Sequence, residues 1–276
     1  MRSCDVCGHK EWERTYDVLL RCSGCGFIRA DVKVTKESLD HMYRGNFFKG
    51  GVYVDYLKEE QVLRKSFKRD MALISKFCPS GRLLEVGCAY GFFLDIAKDQ
   101  YDVHGIDIAE EACTYARERL KLNVIGGDFL KHPFEENSYD IIVMWATIEH
   151  LEDPDLYVEK ISRLLKPGGF FVCTAPDIGS AVAKIRKKRW RQINLPTHLN
   201  YFTKDTLGQL LGNHGLKTVK TTWLGEYRTV DNTLYIILVL RNKMERLYAW
   251  LKKWGLTRGW YYLNMYDQLC TIAVKQ

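Results

Sequence analysis

Four cysteines stand in two C-x-x-C pairs, Cys4 with Cys7 and Cys22 with Cys25, and a glycine follows each pair. Sulfurs at that spacing converge on one ion, and the glycine permits the tight turn. A soft tetrahedral S4 set selects zinc, and four thiolates leave no open position for water, so the expected ion is structural. The 14 residues between the pairs suffice for a hairpin. His9 is either a substitute ligand or an exposed loop residue.

A second group of residues suits a nucleoside. In R-L-L-E-V-G-C-A-Y-G-F-F-L (residues 82–94) an apolar strand enters a turn at Gly87 and Gly91 and leaves into an apolar helix start. Small residues let backbone approach a ligand, and the helix N-terminus points amides at it. A dinucleotide fingerprint needs a third glycine, which is missing. Glu85 is a poor neighbour for a pyrophosphate and a good one for an ammonium. Asp107 closes the next strand, where a carboxylate accepts both ribose hydroxyls of a nucleoside, NAD included. Two histidines, His150 and His198, follow later strands. An imidazole titrating near neutrality can take a proton from a hydroxyl. The plainer reading is that Glu149 and His150 only shape their turn, and that His198 is a buried, hydrogen-bonded side chain.

Hydrophobic residues at 46% and charged residues at 27% describe an ordinary globular chain. No charged-then-apolar leader is visible, so the expected location is cytoplasmic, with peripheral attachment to a membrane as an extension. The apolar run at 234–240 is too short to span a bilayer. A net charge of +7 fits an anionic partner: phosphate, nucleic acid or a lipid surface.

Periodicity places a helix at about 56–77, with Leu57, Leu63, Phe67, Met71 and Ile74 on one stripe. Strands and helices then alternate: strands at 83–86, 103–107, 123–125, 140–144, 169–175 and 216–222, helices at 92–98, 110–120, 155–165 and 204–213. Such alternation is the pattern of a parallel α/β sheet. Asp153 is the expected N-cap before Pro154, and Thr203 the next. A last strand at 269–275 is expected to pair antiparallel. An amphipathic basic helix precedes it, with Met244, Leu247, Tyr248, Leu251 and Trp254 opposite Arg241, Lys243, Lys252 and Lys253.

The run E-V-G-C-A-Y-G resembles motif I of the class I S-adenosylmethionine-dependent methyltransferases. The resemblance implies a Rossmann-like seven-stranded α/β sheet with its seventh strand antiparallel. Gly87, Cys88, Ala89 and Gly91 would wrap the methionine part and Glu85 its ammonium. Asp107 and Ile108 would meet the ribose side, Asp128 and Phe129 the adenine, and Trp145 the same cofactor. Leu165-Lys166-Pro167-Gly168-Gly169 resembles the family's turn into strand five. Residues 145–154, W-A-T-I-E-H-L-E-D-P, resemble the E-H-x-x-D-P segment of the ubiquinone-biosynthesis type. The stretch at 195–203 resembles its P-x-H-L-x-x-F-[ST] element. His150 and His198 are accordingly the candidate catalytic bases. The D/N-P-P-Y/F pattern of base-amino methylases is absent.

The implied organisation is a zinc ribbon (1–30), a lead-in over the cofactor site (31–78, with Tyr43, Phe47, Phe48, Tyr53 and Tyr56), a methyltransferase core (79–225), a basic aromatic insertion (226–267) and the last strand (268–276). The implied cofactors are S-adenosylmethionine and structural Zn2+. The expected reaction is O- or C-methylation of a small acceptor: a sugar, lipid-linked or quinone-like metabolite. Rivals are an RNA-modifying methyltransferase and a non-catalytic module that binds the cofactor. The cations Lys184, Arg186, Lys187, Lys188, Arg189 and Arg191 around Trp190 would meet phosphates, RNA or anionic lipid, or only water. The 241–262 segment would be a lid, a homodimer contact or a membrane-surface helix.

Overall fold

The computed structural model describes residues 2–32 and 56–276; Tyr43, Phe47, Phe48 and Tyr53 lie outside the described residues. The chain opens with three short strands, β1 (Trp12–Thr15), β2 (Leu19–Cys22) and β3 (Ile28–Ala30). Helix α1 (Glu60–Ile74) leads to β4 (Gly81–Val86), α2 (Phe92–Ala97), β5 (Tyr101–Asp107), α3 (Glu110–Leu120) and β6 (Asn123–Gly126). Next come β7 (Tyr139–Met144), α4 (Pro154–Leu164), β8 (Leu165–Pro176), α5 (Ala181–Arg186), β9 (Asn200–Tyr201), α6 (Lys204–Asn213) and β10 (Leu216–Trp223). The insertion follows as β11 (Glu226–Thr229), α7 (Val230–Leu234), a π-helical turn (Tyr235–Arg241), α8 (Glu245–Lys253) and β12 (Trp260–Leu263), and β13 (Gln268–Lys275) closes the chain.

Seven strands form one sheet in the order β10-β13-β8-β7-β4-β5-β6. The pairs β4/β5, β4/β7, β5/β6 and β7/β8 are parallel, while β13 runs antiparallel to both β8 and β10. Side chains alternate across a strand, and this sheet buries both faces. Leu84, Val86, Ile142 and Met144 pack with Val158 and Ile161 of α4 and Leu207 and Leu210 of α6. Leu83, Ile141 and Val143 pack on the other side with Met71 and Ile74 of α1, Phe93 and Leu94 of α2, and Cys113 and Ala116 of α3. Glu85 shares the parity of Leu83, which puts a carboxyl inside the second layer.

Local chemistry sets several boundaries. Thr203 caps α6 by a reciprocal arrangement with Thr206. Asp153 occupies the cap position of α4 with Pro154 after it, yet makes no side-chain cap bond; its carboxylate pairs with Arg2 at 2.6 Å instead. Helix α1 is shorter than its periodicity predicts and also buries Ser66 and Asp70. The cause is the insertion: Tyr227 donates its amide to the Ser66 hydroxyl at 3.1 Å, so the face opposite the core is covered as well.

The N-terminal sheet is not a separate appendage. β3 pairs with β9, Ile28 facing Tyr201 and Arg29 facing Asn200. Cys4, Val6, Cys22 and Phe27 belong to the core that contains α4 and α6, and the Phe27 ring lies 5.1 Å from that of Phe202.

Candidate active site at the carboxyl edge of the sheet

The turn after β4 is shaped by what it excludes. Gly87 has φ +80°, and a Cβ there would stand 2.5 Å from Thr147 Oγ1; Gly91, at φ +78°, would bring a Cβ to 2.7 Å from Leu122 Cδ1. Left-handed backbone and missing side chains are both required. Ala89 also has a positive φ, 45°, and its amide donates to Asp107 Oδ2 at 2.8 Å. The Ala109 amide donates to Oδ1 at 2.8 Å, which fixes the carboxylate at the end of β5. Burial raises the pKa of Asp107 while the amides of Ala109, Ala89 and Ile108 oppose it. Ile108 beside it is 45% exposed and offers an apolar face.

Glu85 is buried, and its Oε2 finds no hydrogen-bond partner among the described residues. Burial, and secondarily the negative Asp107, push its carboxyl well above the usual range. A buried acid without a cation is a costly arrangement, relieved by an ammonium. Trp145 sets its ring edge-on to Phe93 at 5.2 Å, and its buried Nε1 likewise has no partner among the described residues. Glycine cradle, fixed carboxylate, apolar ledge and orphaned acid form a receptacle with the features that an amino-acid nucleoside demands.

Not every residue of the motif points inward. Cys88 buries its thiol behind the loop and donates its amide to Ile106 O at 3.3 Å, so it shapes the turn. Phe129 packs its ring in the core against Tyr157 (5.4 Å), and its carbonyl accepts from Lys160 Nζ at 2.7 Å, so its side chain does not enter the site. Asp128 accepts the Leu130 amide at 3.0 Å and keeps its side chain part-exposed.

The second half of the site follows β7. A 3-10 turn (Ile148–His150) carries Glu149 and His150, and residues 195–202 are laced onto it. Leu199 donates its amide to Glu149 O at 2.7 Å, and Asn200 Nδ2 donates to Ile148 O and Leu151 O at 3.2 and 2.6 Å. His150 Nδ1 lies 2.8 Å from Thr197 O, and His198 Nδ1 lies 2.8 Å from Gln192 O. Carbonyl partners put the proton on each Nδ1 and the lone pair on each Nε2. The rings sit edge to face at 4.8 Å, and one ligand-type atom from each of Glu149, His150 and His198 falls within 4.8 Å of the others. Burial, and then the neighbouring His198, lower the pKa of His150 to about 3; burial lowers His198 to about 4 and raises Glu149 to about 8. All three are therefore uncharged at neutral pH. Asn200, buried and holding the turn from below, has no signal of its own in the sequence.

At the far side the four cysteine sulfurs gather within 4.8 Å, with Cys4–Cys25 at 3.6 Å and Cys7–Cys22 at 3.5 Å. Tetrahedral zinc with bonds of about 2.3 Å sets its sulfurs about 3.8 Å apart, so the donor set and spacing are compatible with a zinc ribbon. His9 is exposed and stands outside this cluster. The basic stretch is partly internal: Trp190 is buried and donates to Asp267 at 3.0 Å, Arg191 pairs with the same carboxylate at 2.9 Å, and Lys188 reaches Asp17 at 3.3 Å.

Comparison with known proteins agrees with this geometry. The family described as "Methyltransferase domain" matches residues 58–221, more than half of the chain. The chain belongs to that family. It is an S-adenosylmethionine-dependent methyltransferase of the class I, Rossmann-like type. The methyltransferase is 29% identical over 178 residues to a ubiquinone biosynthesis O-methyltransferase of Cereibacter sphaeroides, covering 60% of this chain and 71% of that one. A demethylmenaquinone methyltransferase of Staphylococcus aureus is 27% identical over 154 residues, 52% of this chain and 62% of its own. An uncharacterised protein of Methanocaldococcus jannaschii is 26% identical over 171 residues, 62% of this chain and 80% of its own. Among solved structures, a methyltransferase of Archaeoglobus fulgidus superposes with a TM-score of 0.52 at 22% identity, covering 80% of this chain and 99% of that one. At that identity the likeness speaks for the fold.

Proposed function

We propose that this methyltransferase alkylates a hydroxyl oxygen, or a carbon activated by one, on a small molecule, with Glu149, His150 and His198 as the acceptor end of the site. The reading is carried by two imidazoles, His150 half-buried and His198 buried, whose rings lie 4.8 Å apart and whose Nδ1 atoms are each held by a backbone carbonyl at the carboxyl edge of the sheet. The names of the relatives, an O-methyltransferase of ubiquinone biosynthesis and a demethylmenaquinone methyltransferase, favour a quinol-type ring.

When bound, the cofactor supplies an electrophilic methyl group on a sulfonium. Glu85 would take its ammonium, Gly87, Ala89 and Gly91 its methionine backbone, Asp107 its ribose hydroxyls, and Ile108 with the Asp128–Phe129 backbone its adenine. The chain's own work is alignment, exclusion of water and removal of a proton. A neutral His150 receives that proton at Nε2, while Thr197 O holds its Nδ1–H. His198, edge-on to that ring, orients the hydroxyl. The Cys4–Cys7–Cys22–Cys25 set would hold a structural Zn2+ and takes no part in the transfer.

The test pairs two measurements on His150→Asn and His198→Asn. Calorimetry against S-adenosylmethionine should give affinities within about twofold of wild type, because neither ring belongs to the cofactor half. Turnover with catechol and hydroquinone acceptors, followed as S-adenosylhomocysteine, should fall roughly 100-fold or more in His150→Asn, the usual worth of a general base. Undiminished turnover in both variants would sink the assignment.

A further inference from the structure

The insertion between β10 and β13 rises from the edge of the sheet that carries the site. β13 is antiparallel to both β8 and β10, so β10 ends and β13 begins at the carboxyl edge, where Gly87 and His150 also lie. One side of the insertion is anchored. Thr229 donates to Glu59 at 2.9 Å, and Lys65 sits 4.1 Å over the Trp260 ring, which pins β11 and β12 to α1. Tyr248 donates to Asp231 at 2.9 Å and meets Tyr235 at 5.4 Å, which turns that face of α8 inward.

The opposite face has no cover among the described residues. Leu247, Trp250 and Trp254 recur at helical spacing and are 38, 53 and 66% exposed; Met244, at the start of the helix, is 45% exposed, and Ile237 and Leu240 on the preceding π-helical turn are exposed as well. Of the 16 exposed large hydrophobic side chains among the described residues, 11 fall between 237 and 266. Exposed apolar residues are normally scattered, so this concentration marks an interaction surface. Its charge says with what. Arg246 and Lys253 flank the apolar stripe of α8, Arg241 and Lys243 precede it, and Glu245 is the one acid between 241 and 262. Indole rings and aliphatic side chains framed by cations match the headgroup layer of a bilayer, where rings sit at the boundary and cations meet phosphate.

We propose that this face docks the methyltransferase on an anionic phospholipid surface, with α8 lying in the headgroup layer. Because the insertion rises from the carboxyl edge, docking there brings lipid to the edge of the sheet that carries the site, which gives an acceptor with an apolar tail a short path from the bilayer. That consequence rests on the acceptor reading above; the docking does not.

Full-length protein is sedimented with phosphatidylcholine vesicles, with and without phosphatidylglycerol. Wild type should bind the anionic vesicles and lose them as salt rises. Arg246→Gln/Lys253→Gln and Trp250→Ser/Trp254→Ser should each weaken binding about tenfold or more, with S-adenosylmethionine affinity unchanged. Equal binding to neutral and anionic vesicles, or equal binding by both double variants, would overturn the proposal. So would absence of vesicle binding, whether light scattering then shows a dimer that Trp250→Ser/Trp254→Ser splits or RNA is retained in place of lipid. A wrong acceptor reading has a separate signature: docking intact and no turnover with quinol-type rings.

Discussion

Glu149 shows most plainly how burial sets the behaviour of one residue. Its carboxyl is pushed up to about 8 by desolvation, far above the usual 4.5, so the folded chain holds a proton there that the unfolded chain has released. Between those values the native state binds more protons than the unfolded one, and stability from this group falls as pH rises. Below the ordinary carboxylate range the penalty vanishes, and above about 8 it is complete. Glu149→Gln removes the titration. Its denaturation free energy should lose ~2–3 kcal/mol less than wild type between pH 5 and pH 8.5, since relaxation around the ionised carboxyl offsets part of the burial penalty. Denaturant midpoints at the two pH values check this; equal losses would refute it. The sequence displayed the E-H pair but not its burial, because burial here comes from residues 195–202 folding back about fifty positions later.

At the scale of elements, the turn between β4 and α2 carries a sharp expectation. Gly87→Ala puts a Cβ in a left-handed backbone and against Thr147, a strain of about 1–2 kcal/mol before the clash is counted. Since the loop or Thr147 must then shift, and this loop is the proposed cradle of the methionine part, the substitution should weaken S-adenosylmethionine binding by about tenfold or more, read by calorimetry. Affinity equal to wild type would show that the loop does not approach the cofactor. The core elements were the legible part of the sequence. The helix at 110–120 occurs at its expected place, the helix at 204–213 begins after the cap expected at Thr203, and β13 starts one residue before its predicted start. β8 begins at Leu165 rather than Gly169, since the Lys-Pro-Gly-Gly turn is itself extended. Less legible were β9, two residues long and too short to show alternation, and the β11/β12 pair, whose strands are thirty residues apart. Pairings of that kind follow from the tertiary structure, not from a local period.

At the scale of the molecule, the two ends of the site answer to different supports. The proposed cofactor half rests on the carboxyl ends of β4, β5 and β6, on one side of the sheet. The proposed acceptor half rests on the turn after β7 and on the strand that β3 holds by its backbone. Removing a bound zinc with a chelator should therefore loosen β1–β3 and, through β9, the segment bearing His198. Turnover is expected to fall severalfold or more while S-adenosylmethionine affinity changes by less than about twofold, given how local such opening is. Parallel loss of both would contradict the division.

On the proposed division of the site, the short ladder between β3 and β9 would make the cysteine module a tuning piece. A lineage could exchange that module, or lengthen its hairpin, and so revise which molecules are alkylated. The grip on the universal methyl donor would be inherited untouched.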